Sequence, residues 1–239
     1  MRCIYGPVKS RRLDFSLGLS LTPCKICSFD CVYCQLGVTV EKTTQRQEYI
    51  KIGDIFVELQ SWLENNPLEA KRLNYITLCG CGEPTLNIKI AELINRIKEA
   101  TPIPLAVITN SSLLMSPAVR RELLGADLIV PSLDAVTQNI FEKIDRPQSG
   151  IRVEDIIEGL IALRKEFRGK IWLEVMLAKG INDDLRQIKK LKEVVEKINP
   201  DKIQLNSPVR ATAEPDILPV AKNKLEKIKE ILGEKCEII

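Results

Sequence analysis

The sequence of 239 residues contains no histidine and no long apolar run. Without histidine there is no Ser–His or Cys–His nucleophile pair, and no imidazole ligand for zinc or non-haem iron. Acid–base chemistry near neutral pH would fall to carboxylates, lysines or cysteines. No apolar run reaches the ~20 residues that cross a bilayer, and the first seven residues lack the apolar core of a secretory signal. We therefore expect a cytoplasmic protein without a membrane partner.

Charge and composition exclude few other classes. The 35 basic and 32 acidic side chains give a net charge of +3, which argues neither for nor against a nucleic-acid partner. Hydrophobic residues make up 45% and charged residues 28%, a balance typical of soluble globular proteins and unlike that of disordered chains. The length favours one large domain, and no repeat or linker divides the chain.

The eight cysteines are distributed unevenly along the chain. Four of them lie within eleven residues, at Cys24, Cys27, Cys31 and Cys34. Two more, Cys79 and Cys81, flank Gly80, while Cys3 and Cys236 lie near the two ends. Cytosolic cysteines are expected to stay reduced, as buried small hydrophobes or as metal thiolates. Because core cysteines would scatter, so tight a group in a loop-like segment indicates a metal centre.

Short β-type runs alternate with amphipathic helices from start to finish. The six predicted strands span 17–21, 75–79, 105–108, 127–133, 171–177 and 203–205. Strict alternation predicts a parallel sheet with helical crossovers. Six β–α units are fewer than a closed barrel has, so we expect a single-domain α/β fold, a partial (β/α)6 TIM-type barrel, with an open sheet as the alternative. In either case the chemistry belongs at the carboxyl ends of the strands.

The segment 27–34 holds three cysteines at spacings of four and three. An ordinary iron–sulfur cluster site has four cysteines, and a structural zinc site pairs two separated knuckles. Three thiolates would leave one iron without a protein ligand. The loop resembles the C-x3-C-x2-C signature of the radical SAM superfamily, including an aromatic, Tyr33, before the last cysteine. This resemblance implies that Cys27, Cys31 and Cys34 bind a [4Fe–4S] cluster whose open iron chelates S-adenosylmethionine (SAM). A structural zinc site is the alternative.

Later strand ends extend the resemblance. The segment Gly80-Cys81-Gly82-Glu83-Pro84 is similar to the superfamily's glycine–glutamate–proline motif, in which backbone carbonyls bind the methionine ammonium and glycine permits close approach. The alternative is a glycine-rich turn before a helix-start proline. By the same resemblance, strands three to five would hold the cofactor's carboxylate and ribose through Thr109, Asn110, Ser132, Asp134 and Glu174. The backbone around Met176 and Asn206 would face the adenine. Singly, each residue also suits a turn or cap.

The resemblance implies a reaction. The reduced cluster would donate an electron to SAM, and the resulting 5′-deoxyadenosyl radical would abstract hydrogen from a substrate in the barrel mouth. An external electron donor of the flavodoxin or ferredoxin type is implied as well. Two other classes stay open: an activase that installs a radical or modification on a partner protein, and a non-catalytic iron–sulfur or zinc module.

Three further segments, 6–13, 33–37 and 205–210, resemble the compact relatives of the wyosine-base (4-demethylwyosine) synthases. True wyosine-base synthases are longer and carry an amino-terminal cysteine set for a second cluster, whereas only Cys3 precedes Cys24 here. The substrate therefore stays open between a nucleoside or tRNA base and a phosphorylated metabolite. We expect one core domain over 1–239, with an amino-terminal extension at 1–16 and a cluster loop at 22–37.

Two cysteines and three arginines are further candidates. Cys24 creates a second frame with Cys27, but only the frame that starts at Cys27 has the superfamily spacing. We interpret Cys24 as a packed thiol; a sharper hypothesis makes Cys24 or Cys81 a hydrogen-atom or sulfur participant in catalysis. The arginines are Arg11, Arg12 and Arg210. Their guanidinium groups suit a phosphate or carboxylate on the substrate, or a nucleic-acid backbone, with a solvated basic turn as the alternative.

Overall fold

The computed structural model describes residues 3–239, so the first two residues of the expected extension lie outside the described residues. The strands are β1 (Ile4–Ser10), β2 (Asp14–Ser20), β3 (Ile26–Cys27), β4 (Glu41–Lys42), β5 (Tyr75–Cys79), β6 (Leu105–Thr109), β7 (Leu128–Pro131), β8 (Lys170–Met176), β9 (Lys202–Asn206) and β10 (Cys236–Ile238). The helices are α1 (Ile52–Asn65), α2 (Pro67–Ala70), α3 (Ile90–Ala100), α4 (Pro117–Leu123), α5 (Gln138–Ile144), α6 (Val153–Glu166), α7 (Leu185–Ile198) and α8 (Lys222–Leu232). A short 3₁₀ helix, Pro84–Leu86, follows β5.

Eight strands form one sheet in the order β1-β2-β5-β6-β7-β8-β9-β10. Strand β1 is antiparallel to β2, and every later neighbour is parallel. The six predicted strands are the central six, which confirms the mostly parallel α/β fold with an unclosed sheet. Within residues 3–239 no ladder joins β1 to β10; instead Arg11 Nη1 donates to the Ile239 oxygen (3.2 Å) and Gln204 Nε2 to the Arg12 carbonyl (2.9 Å).

The outer face of the sheet carries the main core. Leu17 and Leu19 of β2 and Leu78 of β5 are fully buried in the same apolar cluster as Ile55 and Leu59 of α1. The helical partners lie one turn apart on one face, as an amphipathic helix requires. No helix in the described part of the chain is long and apolar enough to cross a membrane.

The inner face of the sheet is divided into an apolar floor and a polar upper half. Leu13, Ala106, Leu128 and Val130 form a second buried cluster, with Tyr75 and Trp172 packed against it. Ala106 and Leu128 lie in the amino-terminal parts of β6 and β7. Side chains alternate along a strand, and the register pairs Gly18 with Thr77 and Ser20 with Cys79. Polar side chains thus occupy the inner face near the carboxyl ends, where the cavities lie.

Candidate active site

The carboxyl ends of β5 to β8 surround an open cavity of about 190 Å³, which we call the cofactor cavity. Its lining includes Arg12, Cys27, Cys31, Tyr33, Cys79, Gly80, Gly82, Glu83, Thr109, Asn110, Ser132 and Glu174. Two of the three expected cluster ligands and most of the expected SAM contacts therefore share one space. The expected residues that do not line it are Cys34, Pro84, Asp134, Met176 and Asn206.

The cysteine loop is held by its own backbone and by neighbouring polar side chains. Cys34 N donates to the Cys31 carbonyl (3.0 Å). Lys25 Nζ lies 3.1 Å from Cys34 Sγ, and Asn110 Nδ2 lies 3.5 Å from Cys27 Sγ. Burial raises the pKa of the Cys27 thiol to about 11, and burial also raises the pKa of Cys31. Because metals bind thiolates, metal binding here must release protons.

The donor set fits a thiolate-held cluster. The loop offers three thiols, and the whole chain has no histidine. Within residues 3–239, no group of three or more cysteine, aspartate or glutamate side chains converges on a single metal ion. A structural zinc ion takes four Cys or His ligands, whereas the loop offers three thiols and would leave one iron of a four-iron cluster open.

Tyr33 joins the cysteine loop to two buried carboxyl groups. Its hydroxyl donates to Asp134 Oδ2 and lies 3.5 Å from Asp145 Oδ1. Asp134 Oδ1 accepts the Met176 N–H (2.8 Å), while Asn182 Nδ2 donates to the Met176 carbonyl (2.7 Å). Burial raises the pKa of both carboxyl groups. The charge and the hydrogen bond of Asp134 raise the pKa of Asp145 further, whereas the hydrogen bonds from Tyr33 and Asp145 lower that of Asp134. In this arrangement Asp134 and the Met176 backbone hold the loop after β7 against the end of β8.

Glu83 fastens the end of β5 to the end of β6. Its Oε1 accepts from Thr85 N (3.1 Å), Thr85 Oγ1 (2.6 Å) and Thr109 Oγ1 (2.6 Å), and its Oε2 accepts from Asn110 N (2.7 Å). Burial raises the pKa of Glu83, although these hydrogen bonds oppose the shift. The Glu83 carboxylate and the Thr109 hydroxyl thus fix the loop that follows β5. Pro84 begins the buried 3₁₀ helix after Glu83.

Two glycines let the loop after β5 lie against its neighbours. Gly80 has φ +119°, and a Cβ there would lie 2.3 Å from Ser20 Oγ. A Cβ on Gly82 would lie 2.0 Å from the Ile26 carbonyl oxygen. At Gly80 only glycine combines the positive φ with so close an approach, and at Gly82 the close approach alone leaves no room for a side chain. The loop therefore packs directly against the backbone that enters the cysteine loop.

Glu174 and Arg12 form an ion pair across the barrel. Arg12 Nε lies 2.7 Å from Glu174 Oε1, and Asn206 Nδ2 donates to the same oxygen (3.0 Å). The Glu174 side chain is buried, and Arg12 is partly exposed. The sequence suggested separate roles for these residues, with Arg12 on the substrate and Glu174 and Asn206 on the cofactor. The structure brings all three together instead.

Cys24 and Cys81 are joined by a disulfide, with Cα atoms 4.3 Å apart. The adjacent main-chain hydrogen bond from Lys25 N to the Cys81 carbonyl (2.7 Å) holds the two segments together. From the sequence we expected both thiols to be reduced, and the structure differs from that expectation. The pairing brings together residues 57 positions apart, and no local pattern in the sequence marks such a contact. A hydrogen-atom or sulfur role for either cysteine requires the pair to be reduced.

Several residues at the site had no motif to mark them. Asp145 follows α5, and Lys25 precedes the cysteine loop. Cys79 lines the cofactor cavity, and its Sγ lies 2.5 Å from the Tyr5 hydroxyl. The alternation of β5 was the available signal for Cys79, since it places Cys79 on the same face as Thr77.

Comparison with known proteins identifies related chains. A family model described as the Radical SAM superfamily matches residues 21–192. The chain is 38% identical over 239 residues to a UPF0026 protein of Methanocaldococcus jannaschii, which covers 100% of this chain and 73% of that protein. It is 40% identical over 235 residues to the GTPase Obg of Brachyspira hyodysenteriae, which covers 98% of this chain but only 34% of that protein. The chain thus spans about a third of the second relative.

A solved structure shows the same fold. A radical SAM methyltransferase from Sphaerobacter thermophilus superposes with a TM-score of 0.71 at 15% identity, covering 94% of this chain and 65% of that chain. At 15% identity this similarity establishes the fold alone, a partial barrel with an unclosed sheet. Neither of the two relatives described above is named as a wyosine-base synthase, the group that the sequence resembles in three segments.

The Glu83 network predicts a stability effect. Glu83→Gln replaces an acceptor oxygen with an NH₂ group that faces donors, so we expect the free energy of unfolding to fall by ~1–3 kcal/mol. Denaturant unfolding of the metal-free protein measures it. Glu99→Gln, on the exposed side of α3, is the control and should change little. Equal stability of the two variants would contradict the network.

The disulfide predicts a labelling pattern. Denatured, unreduced protein is alkylated with one reagent, then reduced and alkylated with a second. We expect the second label on Cys24 and Cys81, because only bonded sulfurs escape the first reagent. In Cys24→Ala, Cys81 should instead carry the first label. If both cysteines carry the first label in the unsubstituted protein, the pairing is absent in solution.

Proposed function

The chain belongs to the radical SAM superfamily, and from this we propose that Cys27, Cys31 and Cys34 hold its [4Fe–4S] cluster beside SAM in the cofactor cavity. The superfamily's cofactors supply one-electron cleavage of SAM and hydrogen abstraction from a substrate. The observation that carries the proposal is the shared cavity: Cys27 and Cys31 face the same space as the Gly80–Gly82 loop and the polar ends of β6 to β8. Fold-level likeness alone would leave the function open.

The chain's own residues prepare this site. The Lys25 ammonium donates to the Cys34 sulfur, and Asn110 donates toward the Cys27 sulfur. The Cys81 and Glu83 carbonyls accept bonds from Lys25 and Leu86. We assign the methionine ammonium to the neighbouring glycine carbonyls, because the Glu83 side chain is already occupied by four donors.

The polar strand ends would orient the rest of SAM. Asn110 and Ser132 line the cavity directly and suit the carboxylate and ribose hydroxyls. Glu174 also faces the cavity but shares its Oε1 with Arg12 and Asn206. A ribose hydroxyl would therefore meet a carboxylate whose orientation is already fixed. The adenine assignment to the backbone near Met176 and Asn206 rests on the superfamily resemblance alone.

The proposal extends to the domain and its setting. The family match over residues 21–192 supports one radical SAM core domain over 1–239, with the cluster loop at 22–37. A cytoplasmic location suits ligands that must stay reduced as thiolates. The electron would come from an external donor of the flavodoxin or ferredoxin type.

The substrate is proposed only as a class. The resemblance to compact relatives of the wyosine-base synthases suggests a nucleoside or tRNA base, and the arginines suggest a phosphorylated metabolite. One relative is named a GTPase. We do not propose GTP hydrolysis for this chain, because its sequence has no G-x4-G-K-[ST] phosphate loop. Radical installation on a partner protein remains the second candidate.

Cysteine variants test the cluster assignment. After anaerobic reconstitution, the unsubstituted protein should bind about four irons and four sulfides per chain, as a cubane cluster holds. Cys27→Ala, Cys31→Ala and Cys34→Ala should each lose most of this iron, since each removes a thiolate. The electron paramagnetic resonance signal of the reduced protein should change when SAM is added, because SAM binds the open iron.

The control is Cys236→Ala, in the buried edge strand β10, which should keep its iron and its spectral response. A colourless protein that holds one zinc ion after reconstitution would contradict the assignment. So would equal iron content in the three loop variants and the control.

A further inference from the structure

A second and larger cavity, of about 330 Å³, lies inside the barrel beside the cofactor cavity. We call it the hairpin cavity, because residues from Tyr5 to Gly18 of the β1–β2 hairpin form one side of it. Arg12, Cys79 and Ile108 line both cavities, so the two are neighbours there. A volume near 300 Å³ lies at the lower end of the range for small-molecule sites.

The hairpin cavity is strongly cationic. Lys9, Arg11, Arg12 and Arg210 line it, and its lining contains no carboxylate. Arg12 is neutralised by Glu174, whereas the ion pairs described for residues 3–239 include none from Lys9, Arg11 or Arg210. Lys9 and Arg210 therefore face this space without a carboxylate partner, and Arg11 contacts only the oxygen of Ile239, the last residue of the sequence.

The guanidinium donors are only partly used. Arg11 Nη1 donates to the Ile239 oxygen (3.2 Å), and Arg210 Nη1 lies 3.4 Å from Gln35 Oε1. A guanidinium has five N–H donors, so most remain available. Burial and the like charges of Arg12 and Arg210 lower the pKa of Arg11. A bound anion would offset these like charges.

A buried hydroxyl at the wall also lacks a partner. Thr77 is 2% exposed, lines the hairpin cavity, and its Oγ1 has no hydrogen-bond partner within residues 3–239. Buried hydroxyl groups are usually hydrogen-bonded, because an unpaired one is costly. Its cross-strand neighbour Gly18 has no side chain, and the Tyr5 ring occupies that place. Thr77 is thus an unpartnered polar group at the wall of the hairpin cavity.

We propose that the hairpin cavity is the substrate site and that its ligand is a small organic phosphate. Lys9, Arg11 and Arg210 hold the phosphate at the mouth, and Thr77 Oγ1 binds a hydroxyl or carbonyl oxygen of the organic part. The cations Lys9, Arg11 and Arg210 match a phosphate monoester, which carries about −1.5 to −2 charges at neutral pH, better than a single carboxylate. Guanidinium forks bind phosphate oxygens in pairs.

This placement gives the substrate a direction. The phosphate lies toward the exposed ends of Lys9, Arg11 and Arg210, and the organic part extends past Thr77 toward Cys79 and Arg12. These two residues border the cofactor cavity, so the reacting carbon would face it. Arg12, held by Glu174, is a positioning residue at the border between the cavities. The reaction of this substrate rests on the proposed function. Its binding does not, because the ligand can bind without SAM being cleaved.

Direct binding tests the proposal on the reconstituted full chain. Isothermal titration calorimetry compares ribose 5-phosphate, ribose and inorganic pyrophosphate as probes. We expect ribose 5-phosphate and pyrophosphate to bind saturably. Ribose should bind at least about tenfold more weakly, because it lacks the hydrogen bonds between a charged phosphate and the cations. Arg11→Gln and Arg210→Gln should each weaken ribose 5-phosphate by about tenfold. Arg186→Gln, an exposed cation at the start of α7, should leave the dissociation constant unchanged.

Thr77→Val separates the two parts of the site. Removing the unpaired hydroxyl should not lower the melting temperature of the unliganded protein, yet it should weaken ribose 5-phosphate more than pyrophosphate. Equal affinity for ribose and ribose 5-phosphate, no saturable phosphate binding, or unchanged affinity in both arginine variants would each overturn the proposal. Binding of a tRNA that depends on Arg11 and Arg210, without binding of either phosphate probe, would overturn it in favour of a nucleic-acid backbone.

The two proposals fail separately. Binding is read without SAM cleavage, so a protein that lacks the cluster but binds ribose 5-phosphate contradicts only the proposed function. A protein with a full cluster that binds no phosphate contradicts only the assignment of the hairpin cavity.

Discussion

The ion pair between Arg12 and Glu174 connects the two sides of an unclosed barrel. Arg12 lies in the turn of the β1–β2 hairpin at one end of the sheet order, and Glu174 lies inside β8. Gln204 adds a second link, because its Nε2 donates to the Arg12 carbonyl. The pair also forms part of the border between the cofactor cavity and the hairpin cavity. One partly buried ion pair thus links the hairpin to β8 and stands at the border between the two cavities.

Buried carboxyl groups fix the loops at the carboxyl ends of the strands. Glu83 joins the ends of β5 and β6, and Asp134 joins the loop after β7 to Met176 and Tyr33. Such groups are costly to bury unless their hydrogen bonds are satisfied, and satisfied networks make a site rigid. Cofactor-binding surfaces need this rigidity, because a misplaced loop would cost affinity and orientation.

Local patterns explain what the sequence predicted. The apolar run 75–79 coincides with β5 at both ends, and the cysteine spacing marked the loop that borders the cofactor cavity. Strand β1 was missed because only one of its seven residues is buried, so it lacks a periodic apolar pattern. The Arg12–Glu174 and Cys24–Cys81 contacts join distant segments through the curvature of the sheet. No local pattern encodes such contacts, and the unpaired Thr77 hydroxyl likewise becomes visible only when its neighbours are known.

The most direct test of a radical SAM enzyme is the fate of SAM itself. Reconstituted protein is incubated anaerobically with SAM and dithionite, and the products are separated by liquid chromatography with mass detection. The account predicts 5′-deoxyadenosine and methionine in equal amounts, and neither from Cys31→Ala treated in the same way. Unchanged SAM in a protein that holds its full complement of iron and sulfide would contradict the account, as would equal 5′-deoxyadenosine from Cys31→Ala.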